Sequence, residues 1–356
     1  MRPHRTLRHW LQQLLPSHTS AQGAAEALLR AFLFQFTTNL AQLARQTDRP
    51  TGARGSRQWL ARWLASPQWP PERLYARLTR LTRRLLRRSG EVLLLIDVTD
   101  LADGWAVLQI SLPWQRRALP LYRVVRRYAA PETVWLEDLQ QALAWLRRHL
   151  PGPARRYVLV ADRGFPSHAF VQHRQRTGWR FVLRVRGTWK INHPHYTGLL
   201  RSLALTLGQL RSFPEALLGD RTRGEQARLR HSTAHVVAYA GVGQQAPWYL
   251  LTSEADAGYA VRLYRTRMAI EQEFRDLKGP WGLDGLTRWQ DATRVATFLA
   301  WVAVYEWRLA YLWLFEQLAT YAPQVQVGGA LSWIKVVREW VLHQLRLAAP
   351  LADLPL

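Results

Sequence analysis

Residues 91–101 read EVLLLIDVTDL, a short and continuous apolar run that ends in acidic residues. Such a run predicts a β-strand that is buried on both faces. RYVLVADRGF, residues 156–165, has the same form and predicts a second buried strand. Three more strands are predicted by WAVLQISL (105–112), ALPLYRVVRRYA (118–129) and WRFVLRVRG (179–187), and two helices by LEDLQQALAWLRRHL (136–150) and SHAFVQHRQRTG (167–178), the second capped by Ser167. The order of these elements predicts an open α/β sheet.

Asp97 and Asp162 are placed alike, because each closes a run of buried β-forming residues and is expected at the carboxyl end of its strand. Ligands and catalytic groups of open α/β sheets gather at the carboxyl ends of the strands. A desolvated carboxylate is costly without a partner, so the pair favours a shared metal site. The alternative is that each Asp caps the turn after it. Asp100 and Asp103 compete with Asp97, but Asp100 is expected to point to the opposite face of a regular strand.

The balance of charge predicts a polyanionic partner. The chain has 356 residues, with 49 Lys and Arg against 25 Asp and Glu, and a formal net charge of +24. Such an excess attracts nucleic acid, with a membrane surface as the competing partner. A GC-rich genome is a second explanation for the many arginines. The absence of cysteine excludes disulfides, thiolate zinc sites and a cysteine nucleophile.

The sequence predicts neither a membrane span nor a secretion signal. The longest apolar stretch, residues 295–315, contains Glu306 and Arg308, which favours a buried core helix over a membrane span. Residues 1–20 are basic, but their apolar run is too broken for a signal peptide. We therefore expect a soluble cytoplasmic protein that meets nucleic acid.

A second cluster of functional side chains is predicted in YRTRMAIEQEFRDLKG, residues 264–279. On one continuous helix Tyr264, Arg267, Glu271 and Lys278 fall within an arc of about 60°. That arc borders the apolar stripe instead of lying opposite it, as a solvated charged face would. Glu271 is thus a candidate third carboxylate, while Glu273 points about 200° away from it and is a poor ligand candidate. Three carboxylates are typical of sites for Mg²⁺ or Mn²⁺.

These residues resemble a known family. The spacing Y-x2-R-x3-E-x6-K is the signature of bacterial DDE transposases of the insertion-sequence-4 family, and the four residues satisfy every interval. LLLIDVTDL (93–101) resembles the strand with the family's first Asp, and VADRGF (160–165) the block with its second. WYLLTSE (248–254) resembles the stretch before the signature helix. The resemblance covers residues from about 90 to 290.

The resemblance implies an RNase H-like fold: a mixed sheet flanked by helices, with a β-rich insertion and a helical N-terminal domain. The expected segments are a helical domain that binds DNA (1–88), the first part of the catalytic core (89–187), the β-rich insertion (188–257), the second part of the core with the signature helix (258–320) and a C-terminal helical segment (321–356). The helices of the first segment are also compatible with an ordinary bundle.

The implied activity is that of a transposase. Asp97, Asp162 and Glu271 would bind two Mg²⁺ or Mn²⁺ ions, which serve cleavage at the ends of the element and transfer of the 3′-OH ends to target DNA. Relatives of the cut-and-paste type pass through a DNA hairpin. The implied partners are double-stranded DNA, as terminal inverted repeats and target, and a second copy of the chain in a homodimer, near the bacterial nucleoid. No glycine-rich phosphate loop is present, so no nucleotide cofactor is expected.

The remaining matched residues are expected to contact DNA. Arg267 and Lys278 would neutralise phosphates, and Tyr264 would donate a hydrogen bond to one. The other candidates are Arg163, Arg184 and Trp248, the last of which stacks on a flipped base in relatives. Each of three candidates has an alternative role that does not involve DNA. Lys278 would pair with nearby acids, Arg184 would form a salt bridge and Trp248 would pack in the protein core.

Two other functions remain open at this point. One is an RNase H-like nuclease without strand transfer. The other is a non-catalytic DNA-binding protein derived from a transposase, which the intact Asp97, Asp162 and Glu271 disfavour.

Overall fold

The helical N-terminal region precedes a mixed sheet. The computed structural model describes residues 7–15, 19–47, 52–87, 90–101, 104–127, 132–219, 229–279, 281–315 and 336–341. The first five helices are α1 (Leu7–Leu14), α2 (Thr19–Phe34), α3 (Leu40–Arg45), α4 (Ala53–Leu64) and α5 (Pro71–Arg87). Their apolar faces pack into the same core as the sheet, and α5 lies against the long helix near the end of the described chain.

The elements that follow include the strands of the sheet and the helices that flank it. They are β1 (Val92–Leu101), β2 (Trp105–Trp114), β3 (Arg117–Arg127), α6 (Glu132–His149), β4 (Tyr157–Ala161), α7 (His168–Thr177), β5 (Arg180–Val185), β6 (Lys190–His193), β7 (Tyr196–Leu199), β8 (Leu210–Gly219), β9 (Leu229–Tyr239), β10 (Trp248–Thr252), α8 (Ala257–Arg265), α9 (Met268–Lys278) and α10 (Ala292–Phe315). Ser167 caps α7 as expected, since its hydroxyl accepts a hydrogen bond from the amide of Phe170.

The strands form one sheet in the order β3-β2-β1-β4-β5-β10-β9-β8-β6-β7. β1, β2 and β3 are antiparallel neighbours, whereas β4 and β5 run parallel to β1. This arrangement, flanked by helices, is the expected RNase H-like fold. The strands of the β-rich region, β6 to β9, do not form a separate layer, because β10 joins them to β5 and extends the same sheet.

α10 is a core helix. It packs on β3 and α5, and its apolar residues are buried along most of its length. Among the described residues, no helix is both long and apolar enough to span a bilayer. Most of the predicted C-terminal segment, residues 321–356, lies outside the described residues, and its described part, 336–341, is helical.

The prediction of one continuous signature helix is wrong. α8 ends at Arg265 and α9 begins at Met268. Between them the backbone amides bond to carbonyls three residues back, from Thr266 to Leu263 and from Arg267 to Tyr264. The Thr266 hydroxyl also donates to the Leu263 carbonyl at 2.6 Å, which stabilises this tighter turn. Tyr264 therefore lies in the last turn of one helix, and Arg267 immediately precedes the next.

Candidate active site

The pairing of β1 with β4 places Asp97 beside Asp162. The last pair in this parallel register is Ile96 with Ala161, and the residue that follows each of them in the chain is an aspartate. Neighbouring strands lie about 4.8 Å apart, which brings the two side chains to the same edge of the parallel pairing. The expectation that Asp97 ends its strand is wrong, because β1 continues to Leu101 through antiparallel pairs with β2.

The third carboxylate, Glu271, reaches the same place from α9. This helix packs against β1, β2 and β3, and Glu271 lies in its first turn. All three carboxylates contact one guanidinium, that of Arg267. Its Nη1 donates to Oδ2 of Asp97 at 3.0 Å, and its Nη2 lies 3.6 Å from Oδ2 of Asp162 and donates to Oε1 of Glu271. Three acids that are far apart in the chain therefore converge on one cation.

Arg267 is itself buried, with 5% of its surface exposed. Burial disfavours its charged form, but Tyr264, Asp162 and Asp97 together raise the pKa of Arg267 above its usual value. Its Nε makes no hydrogen bond, so one of the guanidinium's donors is unused. The positive charge at the centre of the site is thus held by its acidic neighbours.

Burial acts in the opposite direction on Asp97. It raises the pKa of the Asp97 carboxyl to about 6, and the opposing effect of Arg267 is smaller. The amide of Val98 donates to Oδ1 of Asp97 at 2.9 Å, which fixes the carboxylate on its strand. Any further cation that approaches the Asp97 carboxyl would stabilise its charged form.

Tyr264 extends the site on the side of Asp162. Its hydroxyl donates to Oδ1 of Asp162 at 3.0 Å, and burial raises the pKa of the phenol to about 12, so it remains a donor. The ring packs edge-on against Trp248, with centroids 4.8 Å apart. Nη1 of Arg184 and Nε of Arg163 lie farther out, at 4.0 Å and 3.9 Å from the same Asp162 oxygen.

Two residues of the sequence prediction are placed differently from the rest. Lys278 is half-buried at the end of α9 near Thr99 and Leu101, and within the described part of the chain it forms no ion pair. Asp100 is exposed and pairs in register with Ala106, away from the Arg267 guanidinium. Its competitor Asp103 lies outside the described residues.

Residues 136–305 match the family model of the transposase DDE domain. The matched stretch contains Asp162 and Glu271 but begins after Asp97, whose place in the site rests on the strand register and on its hydrogen bond from Arg267. A cryo-EM structure of the piggyBac transposase synaptic complex with hairpin DNA is similar at 11% sequence identity and a TM-score of 0.44, covering 98% of this chain and 80% of that one. No curated protein sequence matches the chain.

The carboxylates fit a hard divalent cation in chemical type, since all their donors are oxygens. In the described residues, no three Asp, Glu or His side chains lie close enough together to share an ion as they stand. Arg267 contacts each of the three acids, so its guanidinium lies where a shared ion would bind. Metal binding at this place requires the guanidinium to move away.

A buried polar network beneath the site was missed by the sequence analysis. Arg123 of β3 donates to Oε1 of Glu273 and to Oε2 of Glu306, both at 3.0 Å, and to Oε1 of Gln109 at 2.6 Å. Glu273 is two residues from Glu271 and is fully buried. The network thereby joins α9 to the sheet and to α10. Its sequence signal was present, because Glu306 interrupts an apolar helix, but the partner on β3 could not be inferred.

Proposed function

We propose that the chain is a DDE transposase, which cleaves the ends of its own insertion element and transfers the 3′-OH ends to target DNA. The observation that carries this proposal is the meeting of Asp97, Asp162 and Glu271 around one buried guanidinium. The match of residues 136–305 to the transposase DDE domain supports it independently. The net charge of +24 suits a DNA substrate.

Asp97, Asp162 and Glu271 would hold two Mg²⁺ or Mn²⁺ ions. Such a pair of ions supplies Lewis-acid stabilisation of the attacking and leaving oxygens in phosphodiester displacement. The protein holds the two aspartates on adjacent strands and the glutamate on a helix that is anchored to the same sheet. Arg267 keeps these three acids together when it is bound to them, and then turns its guanidinium towards a DNA phosphate.

The basic and aromatic neighbours would position the DNA. Tyr264 orients the Asp162 carboxylate through its hydrogen bond. Arg163 and Arg184 lie on the outer side of Asp162, where a phosphate at the cleavage point would approach. Lys278 would contact a phosphate farther along the strand, and Trp248 would offer its ring to an unpaired base.

The proposed partners are double-stranded DNA, as inverted terminal repeats and target DNA, and a second copy of the chain. Two copies would bridge two ends, because both ends of the element must be cut together. The helical segment 1–88 would contribute to DNA binding, while 89–187 and 258–320 form the two parts of the catalytic core around the β-rich insertion 188–257. The C-terminal segment 321–356 remains a predicted helical region, and the site of action would be the bacterial nucleoid in the cytoplasm.

The test is metal-dependent cleavage of DNA by the purified chain. The wild-type protein should nick supercoiled plasmid with Mg²⁺ or Mn²⁺ and not with EDTA. Glu271→Gln should bind DNA normally but not nick it, because it keeps its size and loses its charge. Asp100→Asn is the matched control, since Asp100 is an exposed acid on the same strand as Asp97. Normal nicking by Glu271→Gln would refute the assignment.

Two alternatives give different results in the same assay. A nuclease without strand transfer would nick DNA but would not join DNA carrying the element's ends to a target plasmid. A DNA-binding protein that is not an enzyme would bind the plasmid and leave it intact with either metal. The three intact carboxylates favour the transposase over this last alternative.

A further inference from the structure

We propose that a basic groove beside the candidate active site binds the sugar–phosphate backbone of duplex DNA, next to the phosphate that is cleaved. The inference rests on the proposed function, since it assigns a place to part of the same DNA substrate. The groove has a volume of about 700 Å³ and lies between the β2–β3 turn and the α8–α9 turn. Its arginines are Arg116, Arg117, Arg265 and Arg275.

The charge of the groove is one-sided. Four of its lining residues are arginines and none is acidic. Arg117 is neutralised by Asp276, with Nε 2.7 Å from Oδ2. Arg116, Arg265 and Arg275 are exposed, and within the described part of the chain none of them forms an ion pair. A groove with three uncompensated guanidinium groups favours a polyanion, and planar guanidinium groups match phosphate oxygens in geometry.

The position of the groove is what points to the DNA backbone. Thr266 and Ala269 line it and stand on either side of Arg267, the cation of the active site. Arg275 follows Glu271 by one helical turn, a spacing at which side chains are neighbours on a helix surface. A DNA strand with one phosphate at the three carboxylates would therefore continue along this face of α9. The groove would then hold the neighbouring phosphates of that DNA strand.

The β2–β3 turn provides a second, independent observation. Gln115 and Arg116 form the tip of this hairpin with φ angles of 45° and 60°. Both central residues of such a turn have left-handed backbone conformations, for which glycine and asparagine are strongly preferred. An exposed arginine is less favourable than glycine or asparagine in this conformation, and Arg116 lines the groove. Retention of an unfavourable conformation at a ligand-facing position is typical of binding sites.

The test compares the salt dependence of DNA binding between two double variants. Arg116→Asn combined with Arg275→Ala removes two groove charges, and asparagine suits the left-handed turn. Arg148→Ala combined with Arg176→Ala removes two exposed arginines from α6 and α7, outside the groove, and is the charge-matched control. The probe is a fluorescein-labelled duplex of arbitrary sequence in EDTA, measured by anisotropy at increasing salt. Each lost phosphate contact reduces the steepness of the slope of log K against log salt by about 0.9. The slope of the groove variant should therefore be about 1.8 less steep than that of the wild-type chain.

The control variant should keep the wild-type slope, and Arg116→Lys combined with Arg275→Lys should restore most of it. Equal slopes for the groove and control variants, with both proteins folded by circular dichroism, would overturn the inference. These results are separate from the proposed function. If the wild-type chain nicks plasmid but the groove variant has the wild-type salt slope, only the groove assignment fails. If the salt slope of the groove variant is less steep but the wild-type chain never nicks DNA, the proposed enzyme activity fails and the assignment of the DNA-binding groove remains.

Discussion

The hydroxyl of Tyr264 lies 3.0 Å from Oδ1 of Asp162 and donates a hydrogen bond to it. This bond is made from the last turn of α8 to the residue that follows β4, so it fixes the carboxylate relative to a second element. The other Asp162 oxygen faces Arg267 at 3.6 Å. The Asp162 carboxylate is therefore oriented from both sides, by a hydroxyl on one oxygen and a guanidinium on the other.

Tyr264→Phe should weaken divalent metal binding, because the Asp162 carboxylate loses the donor that orients it. Loss of such an outer hydrogen bond typically costs about 10–100-fold in metal affinity. The fold should persist, since a single hydrogen bond contributes about 1 kcal/mol to the free energy of unfolding. Titration of Mn²⁺ followed by calorimetry measures the affinity directly.

Tyr259→Phe is the control for this variant. Tyr259 lies on the same helix and also donates to a carboxylate, that of Glu91, away from the three acids. Its replacement should leave the metal affinity unchanged. If both variants lose affinity equally, the Tyr264 bond has no specific role at the site.

Added Mg²⁺ or Mn²⁺ should raise the midpoint of thermal unfolding of the wild-type chain. An ion that binds only the folded state at 100 times its Kd contributes about 2.7 kcal/mol to the free energy of unfolding. Asp97→Asn and Glu271→Gln should lose this effect, because each removes a proposed ligand. Asp100→Asn should keep it, and a loss as large as that of Asp97→Asn would show that the ion binds elsewhere on β1.

The aspartates of the site could be predicted from the sequence because a buried strand that is followed by an acid has a strong local signature. The adjacency of Asp97 and Asp162 depends on the parallel register of β1 with β4, which the two separate stretches do not encode in their own pattern. Tyr264, Arg267 and Glu271 do meet, although the continuous helix that was used to group them is interrupted by a turn.

Other parts of the structure had no local signal. The sequence of β8 has no clear strand signal, because Pro214 and Glu215 break its alternation; the structure accommodates them in a bulge, where Glu215 has a φ of 50°. The angle of Glu273 on the helix predicts that it is a poor ligand, but its burial beside Arg123 depends on packing between α9 and β3. Contacts between distant elements are set by the tertiary fold, which helical and strand periods do not specify.

Asp97→Asn should change the pH dependence of stability. Burial raises the pKa of Asp97 to about 6, so the folded state holds a proton that the unfolded chain releases near its usual pKa of about 3.9. The free energy of unfolding of the wild-type chain therefore falls as pH rises from about 4 to about 6. Above this window, in the absence of metal, Asp97→Asn should be more stable than wild type by on the order of 1–3 kcal/mol.

Urea denaturation in EDTA at several pH values measures this difference, which should vanish near the lower end of the window. Asp100→Asn removes an exposed carboxylate from the same strand and should follow the wild-type curve. A constant difference between Asp97→Asn and wild type across the whole range would contradict the assigned pKa.

The network beneath the site predicts opposite effects for two of its members. Arg123 is the only cation between the carboxyl groups of Glu273 and Glu306 in the described part of the chain, and burial raises the pKa of both acids. Arg123→Met leaves these groups buried without a positive partner, which should cost about 3–5 kcal/mol in the free energy of unfolding.

Glu306→Gln should be neutral or stabilising at neutral pH. It removes one of two acids that share a single cation, and its amide oxygen can keep the hydrogen bond that Arg123 donates to Oε2. Urea denaturation at neutral pH compares the two variants, and an equal loss in both would mean that the network is not organised around Arg123.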